Sequence, residues 1–495
     1  MELKRSTTPY DHQVEANNVA WLKPAFAYFL EQGTGKSKII VDEIINLNAE
    51  GLIDCAIIIA PNNVHVNWKE EFIKHGANYQ DRFAIQIWTS GRNREKFERE
   101  TSNIFKSEKT LVFLMNIEAL SSPSGQIYLK RILTFRRRAY LAIDESHKIK
   151  SPGALRTKAI VDLGRFAKFR RIATGTEAEE GIVGLYSQFK FLDPAIIGTR
   201  SYTAFKGLYC IEDQTQKANG QIYKTIVGYK NEEHLASKIA PFIYAKRKHE
   251  CLTLPDKVYV RHQIQMTSEQ STIYNKLEEQ LIYELKSGEI VDATMAMTRM
   301  TRLHQVLCGH INTSNAGDRN SSRFNETIAS NRADYIAEIV SEASSKVIVF
   351  CRFTKDVDLI NTSLVKIGVR SVAVSGLLES SRRHDEITRW RTDPGIKALC
   401  ITTATGGVGL TLNEASTTIF YSNTWSSTDR KQAEDRNHRI GQESKVTYHD
   451  VMVPRTIDDK LYYVLMQKRE LANEFRSIVN LQRFLTTPPG GYDVE

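Results

Sequence analysis

Residues 33–37 read Gly33-Thr34-Gly35-Lys36-Ser37 and lie between an apolar run, Ala25–Leu30, and a segment with helical apolar spacing that begins at Ile39. Glycine has no Cβ, so backbone N–H groups there can approach phosphate oxygens, and the start of the following helix favours the same anion. Lys36 can reach the β- and γ-phosphates, and the Ser37 hydroxyl can bind Mg²⁺. The stretch therefore predicts a phosphate-binding loop. Leu30 stands where the full pattern has glycine, and a plain glycine turn before a helix is the alternative.

The composition is that of a soluble globular protein. The 495 residues, 41% hydrophobic and 25% charged, suggest two to four domains. No apolar run approaches the roughly 20 residues needed to cross a bilayer, and the first residues do not resemble a secretory signal. The six cysteines are scattered without a C-x-x-C pair, which is typical of reduced thiols rather than of disulfides or a zinc site. We therefore expect a cytoplasmic protein with no membrane partner.

The net charge of +9 favours a polyanionic partner. Basic residues cluster at 136–138, 168–171 and 246–248. Each cluster alone is more typical of a solvated surface than of a binding patch, so the charge supports other signals and decides nothing by itself.

The first 200 residues alternate short apolar runs with helical segments. The strand candidates are Cys55–Ala60, Thr110–Leu114, Tyr140–Ile143 and Arg171–Ala173. Such alternation predicts a parallel sheet with right-handed crossovers, in which ligands gather at the carboxyl ends of the strands. The polar groups expected at that edge are the glycine-rich loop, Pro61-Asn62-Asn63, Asp144-Glu145 and Thr174-Gly175-Thr176.

The rest of the chain predicts a helical region and a second α/β region. Long charged helices are expected at Ser268–Leu285 and Ala293–Cys308. Strands are expected at Val347–Cys351, Ser371–Val374, Ala398–Ile401 and Thr418–Tyr421. The expected domains are an α/β lobe at 1–197, a helical region at 198–312, a linker at 313–330, a second lobe at 331–455 and a C-terminal helix and tail at 456–495.

Two further patterns carry chemistry. Asp144 at a strand end can hold Mg²⁺, and Glu145 can orient or deprotonate an attacking water; helix capping is the alternative. Gln432, Arg436 and Arg439 are spaced i, i+4 and i+7, which predicts one helical face and suits an arginine finger. A solvent-exposed helix is the alternative there. The loop at 402–410 could bind a nucleic-acid phosphate or be a plain glycine loop.

With these residues in place, the chain resembles the superfamily 2 helicases and, within them, the Swi2/Snf2-like DNA translocases. The ordered motifs run from Tyr10 to about Phe475, and Gln432–Gln442 is the most family-specific string. The motifs are Tyr10–Gln13 (Q), Leu30–Ser37 (I), Ile58–Pro61 with Asn67–Phe72 (Ia), Asp144–His147 (II), Thr174–Thr176 (III), Val347–Cys351 (IV), Thr403–Leu412 (V) and Gln432–Gln442 (VI).

The resemblance implies two RecA-like lobes with helical protrusions, and it assigns roles to individual residues. ATP hydrolysis is assigned to Lys36, Asp144 and Glu145. Arg436 and Arg439 are expected to be arginine fingers, and Ser37 and Asp144 are expected to be Mg²⁺ ligands. ATP binding is assigned to Gln13, Gly33, Thr34, Gly35, Lys36, Ser37 and Gln432. Coupling is assigned to His147, Thr174, Gly175 and Thr176. DNA contacts are expected from Asn62, Asn63, Asn67, Arg352 and Thr403.

Two positions depart from the family pattern, and the family leaves several functions open. Glu177 replaces a usual proline after motif III, and Thr405 replaces a usual lysine in motif V. The compact size resembles that of phage and bacterial members, which implies the cytoplasm of a bacterium or of a phage-infected host. The resemblance implies an ATP- and Mg²⁺-dependent monomeric translocase that remodels or unwinds forked or branched DNA, including branch migration, in replication, recombination or repair. The alternatives are an RNA or DNA helicase, a nucleoprotein-remodelling translocase that separates no strands, and a nucleic-acid-binding protein with uncoupled ATPase activity.

Overall fold

The computed structural model describes residues 6–61, 64–76, 79–89, 94–175, 181–199, 201–216, 222–287, 293–312, 325–406 and 410–466. The chain divides into two compact units, Met1–Thr253 and Leu254–Glu495, called unit 1 and unit 2 below. Among the described residues, no helix is long and apolar enough to span a membrane.

Unit 1 alternates strands and helices. Its elements are α1 (Asp11–Ala20), β1 (Ala25–Leu30), α2 (Lys36–Ala49), β2 (Cys55–Ala60), α3 (Val64–His75), α4 (Tyr79–Arg82), β3 (Phe83–Ile87), α5 (Arg94–Lys106), β4 (Thr110–Asn116), α6 (Pro123–Phe135), β5 (Ala139–Asp144), α7 (Leu155–Gly164), β6 (Phe169–Thr174), α8 (Gly181–Leu192), α9 (Pro194–Ile197), α10 (Tyr202–Tyr209), β7 (Cys210–Gln216), β8 (Ile222–Tyr229), α11 (Glu232–Ile239), β9 (Ile243–Lys246) and α12 (Lys248–Cys251).

A seven-stranded parallel sheet organises unit 1, in the order β3-β4-β2-β5-β6-β1-β9. Strands β1, β2 and β5 are buried along their whole length, as expected when helices cover both faces of a parallel sheet. A separate antiparallel pair is formed by β7 and β8.

Unit 2 has the same alternation. Its elements are β10 (Lys257–Gln263), α13 (Ser268–Ser287), α14 (Ala293–Leu307), β11 (His310–Asn312), β12 (Asn325–Thr327), α15 (Arg332–Glu342), β13 (Lys346–Cys351), α16 (Thr354–Lys366), β14 (Ser371–Val374), α17 (Ser380–Thr392), β15 (Ala398–Thr402), α18 (Thr403–Gly406), β16 (Ala415–Phe420), α19 (Ser427–Glu434), β17 (Val446–Met452) and α20 (Ile457–Met466). Its parallel sheet has the order β10-β17-β16-β13-β15-β14 and carries a hydrophobic cluster on each face.

The expected α/β class with two parallel sheets is confirmed, and each proposed strand lies within or beside an observed one. The long helices α13 and α14 also fall where the sequence predicts them. The chain divides into its two units after Thr253, inside the expected helical region at 198–312. Its strand β9 pairs with β1 and its strand β10 pairs with β17. Both are edge strands that lack a continuous apolar run, so the sequence does not reveal them.

Two smaller expectations fall partly outside the described residues. Of the expected linker at 313–330, residues 325–327 form β12, which pairs with β11; residues 313–324 lie outside the described part. The C-terminal helix is described as α20, and the residues after Met466 lie outside it.

Candidate functional site

Three adjacent strands bring the predicted chemical groups of unit 1 to one edge of the sheet. Strand β6 lies between β5 and β1, with Thr174 opposite Phe29 and Ala173 opposite Asp144. Because the strands are parallel, their carboxyl ends meet at the same edge. The loop after β1 and the polar residues after β5 and β6 are therefore neighbours.

The loop after β1, residues 31–35, has the backbone of an anion-binding turn. Gly33 and Gly35 have φ values of 83° and 88°, a conformation that favours glycine. Helix α2 starts at Lys36, with Gly35 as its left-handed N-cap and half-buried Ser37 in its first turn. The loop thus presents a helix N-terminus, as phosphate binding requires. Lys36 Nζ donates to the carbonyl of Leu30 at 2.8 Å, so its charge lies directly at the loop.

Helix α1 is fastened to this loop through one backbone carbonyl. His12 Nε2 donates to the Thr34 carbonyl at 2.8 Å, and Gln13 Nε2 donates to the same oxygen at 3.1 Å. Gln13 Oε1 in turn accepts from the backbone N–H of Tyr10 at 3.0 Å. The structure therefore places the expected adenine-reading glutamine against the phosphate loop.

Asp144 ends β5 and is held on both carboxylate oxygens. Trp68 Nε1 donates to Oδ2 at 3.2 Å, and the Glu145 backbone N–H donates to Oδ1 at 2.9 Å. Burial, followed by the adjacent Glu145 carboxylate, raises the pKa of Asp144 to about 6, against the opposing effect of Lys36. Burying two neighbouring carboxylates costs free energy, and a bound cation would reduce that cost.

The residues present fit an Mg²⁺ ion that is shared with a nucleotide. Within the described part of the chain, no group of three or more His, Cys, Asp or Glu residues could hold a metal. Mg²⁺ is commonly held by one or two protein oxygens together with phosphates and waters. The Asp144 carboxylate and the Ser37 hydroxyl supply oxygens of this kind.

Glu145 has an unusual backbone and is contacted from two sides. Its φ of 49° and ψ of 53° lie in the left-handed region, which is strained for a residue with a side chain and is enriched at functional sites. Gln32 Nε2 donates to its Oε1 at 3.3 Å, and His147 Nδ1 lies 3.3 Å from its Oε2. The His147 Nδ1 atom is also 3.3 Å from Thr174 Oγ1. The predicted coupling residue His147 therefore contacts both Thr174 and the predicted catalytic carboxylate.

Gly175 completes this arrangement. An added Cβ would stand 3.1 Å from the Gln32 backbone nitrogen and 3.2 Å from both the Gln32 Cγ and the Leu30 carbonyl oxygen. The end of β6 therefore lies against the phosphate loop. Thr176 and the unusual Glu177 lie outside the described residues.

In unit 2, the prediction that Gln432, Arg436 and Arg439 share one helical face is wrong. Helix α19 contains Gln432 but ends at Glu434, and both arginines follow it in turns. They nevertheless converge, because Nη1 of each donates to the Leu410 carbonyl at 3.3 Å.

Side-chain contacts to the backbone explain why the helix stops. Asn437 Nδ2 donates to the carbonyl of Ala415 at 3.3 Å and to Thr418 Oγ1 at 2.9 Å. Gly441 then has a φ of 92°, in the region that favours glycine. These contacts fasten the segment to the sheet of unit 2, and a continued α-helix would not allow them.

The candidate DNA contacts have different surroundings. Asn67 is half-buried on α3, and Thr403 is buried, with Oγ1 donating to the Cys351 carbonyl at 3.3 Å. Arg352 lies 5.0 Å from the ring of Phe353 and 4.6 Å from that of Trp425. Burial lowers the pKa of Arg352 to about 10. Arg352 is therefore packed within unit 2. Asn62 and Asn63 lie outside the described residues.

Two residues of the basic clusters also have structural surroundings. Arg171 is fully buried and ion-paired with Glu43, with 2.5 Å between Nη2 and Oε1. Lys248 is buried, and its backbone N–H donates to Glu31 Oε2 at 2.8 Å. Neither contributes to an exposed basic patch.

Sequence reasoning missed Gln32 and the role of Trp68. Gln32 precedes the glycine-rich stretch and carries no pattern of its own. Trp68 was visible as part of a motif, but its hydrogen bond to Asp144 joins residues 76 apart in the chain. Only the pairing of β2 with β5 brings these segments together.

Comparison with known proteins finds two domain families in the chain. The SNF2-related domain matches residues 12–312, and the helicase conserved C-terminal domain matches residues 331–441. An uncharacterized ATP-dependent helicase of Mycoplasma genitalium is 25% identical over 450 residues, which is 90% of this chain and 39% of that protein. The DNA excision repair protein ERCC-6 of Mus musculus is 24% identical over 459 residues, 89% of this chain and 29% of that protein.

Among solved structures, the SWI2/SNF2 ATPase core of Sulfolobus solfataricus in complex with dsDNA is 24% identical, with a TM-score of 0.42 over 97% of this chain and 96% of that chain. The chain spans about two fifths or less of the length of the Mycoplasma genitalium helicase and of the Mus musculus repair protein. The SNF2-related domain covers more than half of its residues. The chain therefore belongs to the SNF2-related family of superfamily 2 helicases.

Proposed function

We propose that the protein is a DNA-dependent ATPase that uses ATP hydrolysis to move along DNA. The observation that carries this proposal is the cluster at the carboxyl edge of the unit 1 sheet. There Lys36 lies at a glycine-rich loop and a helix start, beside the Asp144–Glu145 pair. A cationic loop next to two carboxylates is what phosphoryl transfer to water needs.

Each residue has a distinct task in this mechanism. The loop N–H groups and Lys36 hold the β- and γ-phosphates, while Gln13 reads the base from α1. Glu145 orients the attacking water and accepts its proton. Arg436 and Arg439 supply positive charge to the transferred phosphate. Asp144 and Ser37 would hold Mg²⁺, which would supply positive charge to the phosphates.

For the DNA substrate, we favour forked or branched duplexes, on which translocation would remodel or unwind the strands and drive branch migration. The net charge of +9 supports binding to a polyanion. Such binding depends mainly on phosphate contacts and is therefore sensitive to salt and largely independent of sequence.

A translocase that displaces bound proteins without separating strands is the second candidate. It is favoured by one relative, the TATA-binding protein-associated factor MOT1 of Saccharomyces cerevisiae, which is 23% identical over 389 residues, 69% of this chain and 20% of that protein. An assay that displaces a protein from DNA distinguishes this candidate from strand unwinding.

The test is ATP hydrolysis by the purified protein with no nucleic acid, single-stranded, duplex, forked and four-way DNA, and RNA. We expect strong stimulation by duplex-containing DNA, greatest with forked or four-way DNA, and its loss in Glu145→Gln. Hydrolysis that responds to no nucleic acid would contradict translocation and favour uncoupled ATPase activity. Preference for RNA would favour an RNA helicase.

A further inference from the structure

We propose that Gln32 is a positioning residue that holds the Glu145 carboxylate in its working orientation and joins it to the end of β6. The role rests on the proposed function, because it acts through the catalytic base. Gln32 directly precedes the glycine-rich stretch and stands between three segments of the site: the phosphate loop, the residues after β5 and the residues after β6.

The contacts of Glu145 show what the glutamine does. Its Oε1 accepts from Gln32 Nε2 at 3.3 Å, and its Oε2 faces His147 Nδ1 at 3.3 Å. The carboxylate thus accepts a hydrogen bond at Oε1 and faces an imidazole nitrogen at Oε2, and the two groups come from different segments. A neutral amide donor can orient a carboxylate without forming an ion pair with it, so the carboxylate stays able to accept a proton.

The backbone of Glu145 makes these contacts necessary. Its left-handed conformation, with φ of 49°, turns the chain sharply at the end of β5. A side chain on such a turn gets no support from a regular helix or strand. Its direction is set by its lateral neighbours, of which Gln32 is one and is itself buried.

Gly175 makes the close approach of Gln32 possible. The Gln32 backbone nitrogen and Cγ would lie 3.1 and 3.2 Å from a Cβ at position 175. These distances are shorter than ordinary van der Waals contact, so only a residue without a Cβ lets the end of β6 lie this close to Gln32, whose amide bonds Glu145. Gln32 is therefore placed to pass a change in the residues after β6 to the catalytic carboxylate.

The experiment compares Gln32→Met and Gln32→Glu with the full-length wild-type protein in steady-state ATP hydrolysis at saturating DNA. Methionine keeps the length of the side chain and removes the donor. We expect kcat to fall about 10- to 100-fold, the range that a misplaced catalytic group produces, while KM for ATP changes less than about threefold because the phosphates are held elsewhere. Glutamate places a like charge beside Glu145, and we expect a larger loss.

Gln86→Met is the matched control. Gln86 is also a buried glutamine, but it bonds the Phe97 carbonyl at 3.0 Å and Thr101 Oγ1 at 2.7 Å on the edge strand β3. We expect it to lower thermal stability and leave kcat unchanged. A Gln32→Met protein with wild-type kcat would overturn the role of Gln32. So would a Gln32→Met protein that is as thermally stable as the wild type and loses as much affinity for ATP as it loses kcat.

A double variant separates this inference from the proposed function. If Gln32 acts only through Glu145, Gln32→Met adds no further loss in a Glu145→Gln background, and an additional loss there contradicts the inference. If the wild-type protein does not hydrolyse ATP, or Glu145→Gln keeps full activity, the proposed function itself fails. Wild-type activity that is lost in Glu145→Gln but kept in Gln32→Met refutes only the role of Gln32.

Discussion

Arg436 and Arg439 donate to the same backbone oxygen, the carbonyl of Leu410, at 3.3 Å each. Two guanidinium groups therefore lie side by side although no helix joins their positions. Two guanidinium groups in this arrangement can bind the same anion.

We expect Arg436→Ala and Arg439→Ala each to lower kcat for DNA-stimulated ATP hydrolysis by about 10³-fold, because arginine fingers contribute on this scale to phosphoryl transfer. The measurement is steady-state hydrolysis with saturating DNA, with circular dichroism to verify folding. A loss of less than about tenfold in both variants would contradict the role of fingers.

Arg430 provides the contrast. It is buried and bonds Asp450 with Nη2 at 2.9 Å and Glu434 with Nε at 2.9 Å. Removing one partner of a buried pair destabilises a protein strongly. Arg430→Met should therefore lower the melting temperature of unit 2, whereas Arg436→Ala should lower kcat with little change in melting temperature.

The sequence predicts the parts of the site that depend on short segments. Asp144 and Glu145 stand at the end of β5, and Lys36 and Ser37 begin the helix after β1, so their placement needs only a strand and the residues after it. A glycine-rich turn, a strand end and a helix start are local, so periodicity and motif spacing are enough to find them.

The sequence does not predict what depends on distant partners. The helix expected through Arg436 ends early because Asn437 bonds Ala415 and Thr418, which belong to another strand. The contact of Gln32 with Gly175 likewise requires β1 and β6 to be neighbours. Strand order in a sheet is set by packing of the whole unit, and a local pattern does not contain it.

Cysteine reactivity offers a direct test of the fold. Cys251 is half-buried, whereas the other five cysteines are buried and all six are free thiols. Burial raises the pKa of several of these thiols, that of Cys400 to about 12, and the thiolate is the reactive form. In the folded protein, iodoacetamide should modify Cys251 first, and in urea all six cysteines should react; mass spectrometry of peptides measures both. Rapid labelling of Cys55 or Cys400 in the native protein would contradict the burial described here.

Protonation of His304 should make the stability of unit 2 depend on pH. His304 is fully buried, and its Nδ1 accepts from Arg352 Nη1 at 3.1 Å. Since arginine is only a donor, the imidazole is neutral in the native state. Burial, followed by Arg352, Arg332 and His310, holds the pKa of His304 well below its ordinary value.

The direction of this pH dependence follows from the number of protons bound in the native and unfolded states. Below the ordinary histidine pKa of about 6.5, the unfolded chain binds a proton that the native His304 does not. The free energy of unfolding should therefore fall as the pH is lowered from 7 to 5, by up to about 1.4 kcal/mol per pH unit from this group. In His304→Gln, whose amide oxygen can still accept from Arg352, the slope should be smaller. The slope is measured by urea denaturation with hydrogen exchange as the probe of unit 2. A slope in His304→Gln equal to that of the wild type refutes the assignment.

The buried pair of Arg171 and Glu43 should dominate the stability of unit 1. Glu43 also accepts from Tyr28 Oη at 2.9 Å and Tyr140 Oη at 2.8 Å, so one carboxylate joins α2 to strands β1, β5 and β6. Arg171→Met leaves this carboxylate buried without its cation. We expect the free energy of unfolding of unit 1 to fall by about 3–5 kcal/mol in urea denaturation.

Two further variants show whether this loss comes from an uncompensated charge. Arg370 pairs with Asp393 at the surface, with 2.6 Å between Nη2 and Oδ2 and 60% of the Arg370 side chain exposed. Arg370→Met should cost less than about 1 kcal/mol, since exposed pairs contribute little. The double variant Arg171→Met with Glu43→Gln removes both charges and should recover part of the stability lost in Arg171→Met. If the double variant is less stable than Arg171→Met, lost packing rather than a buried charge explains the effect.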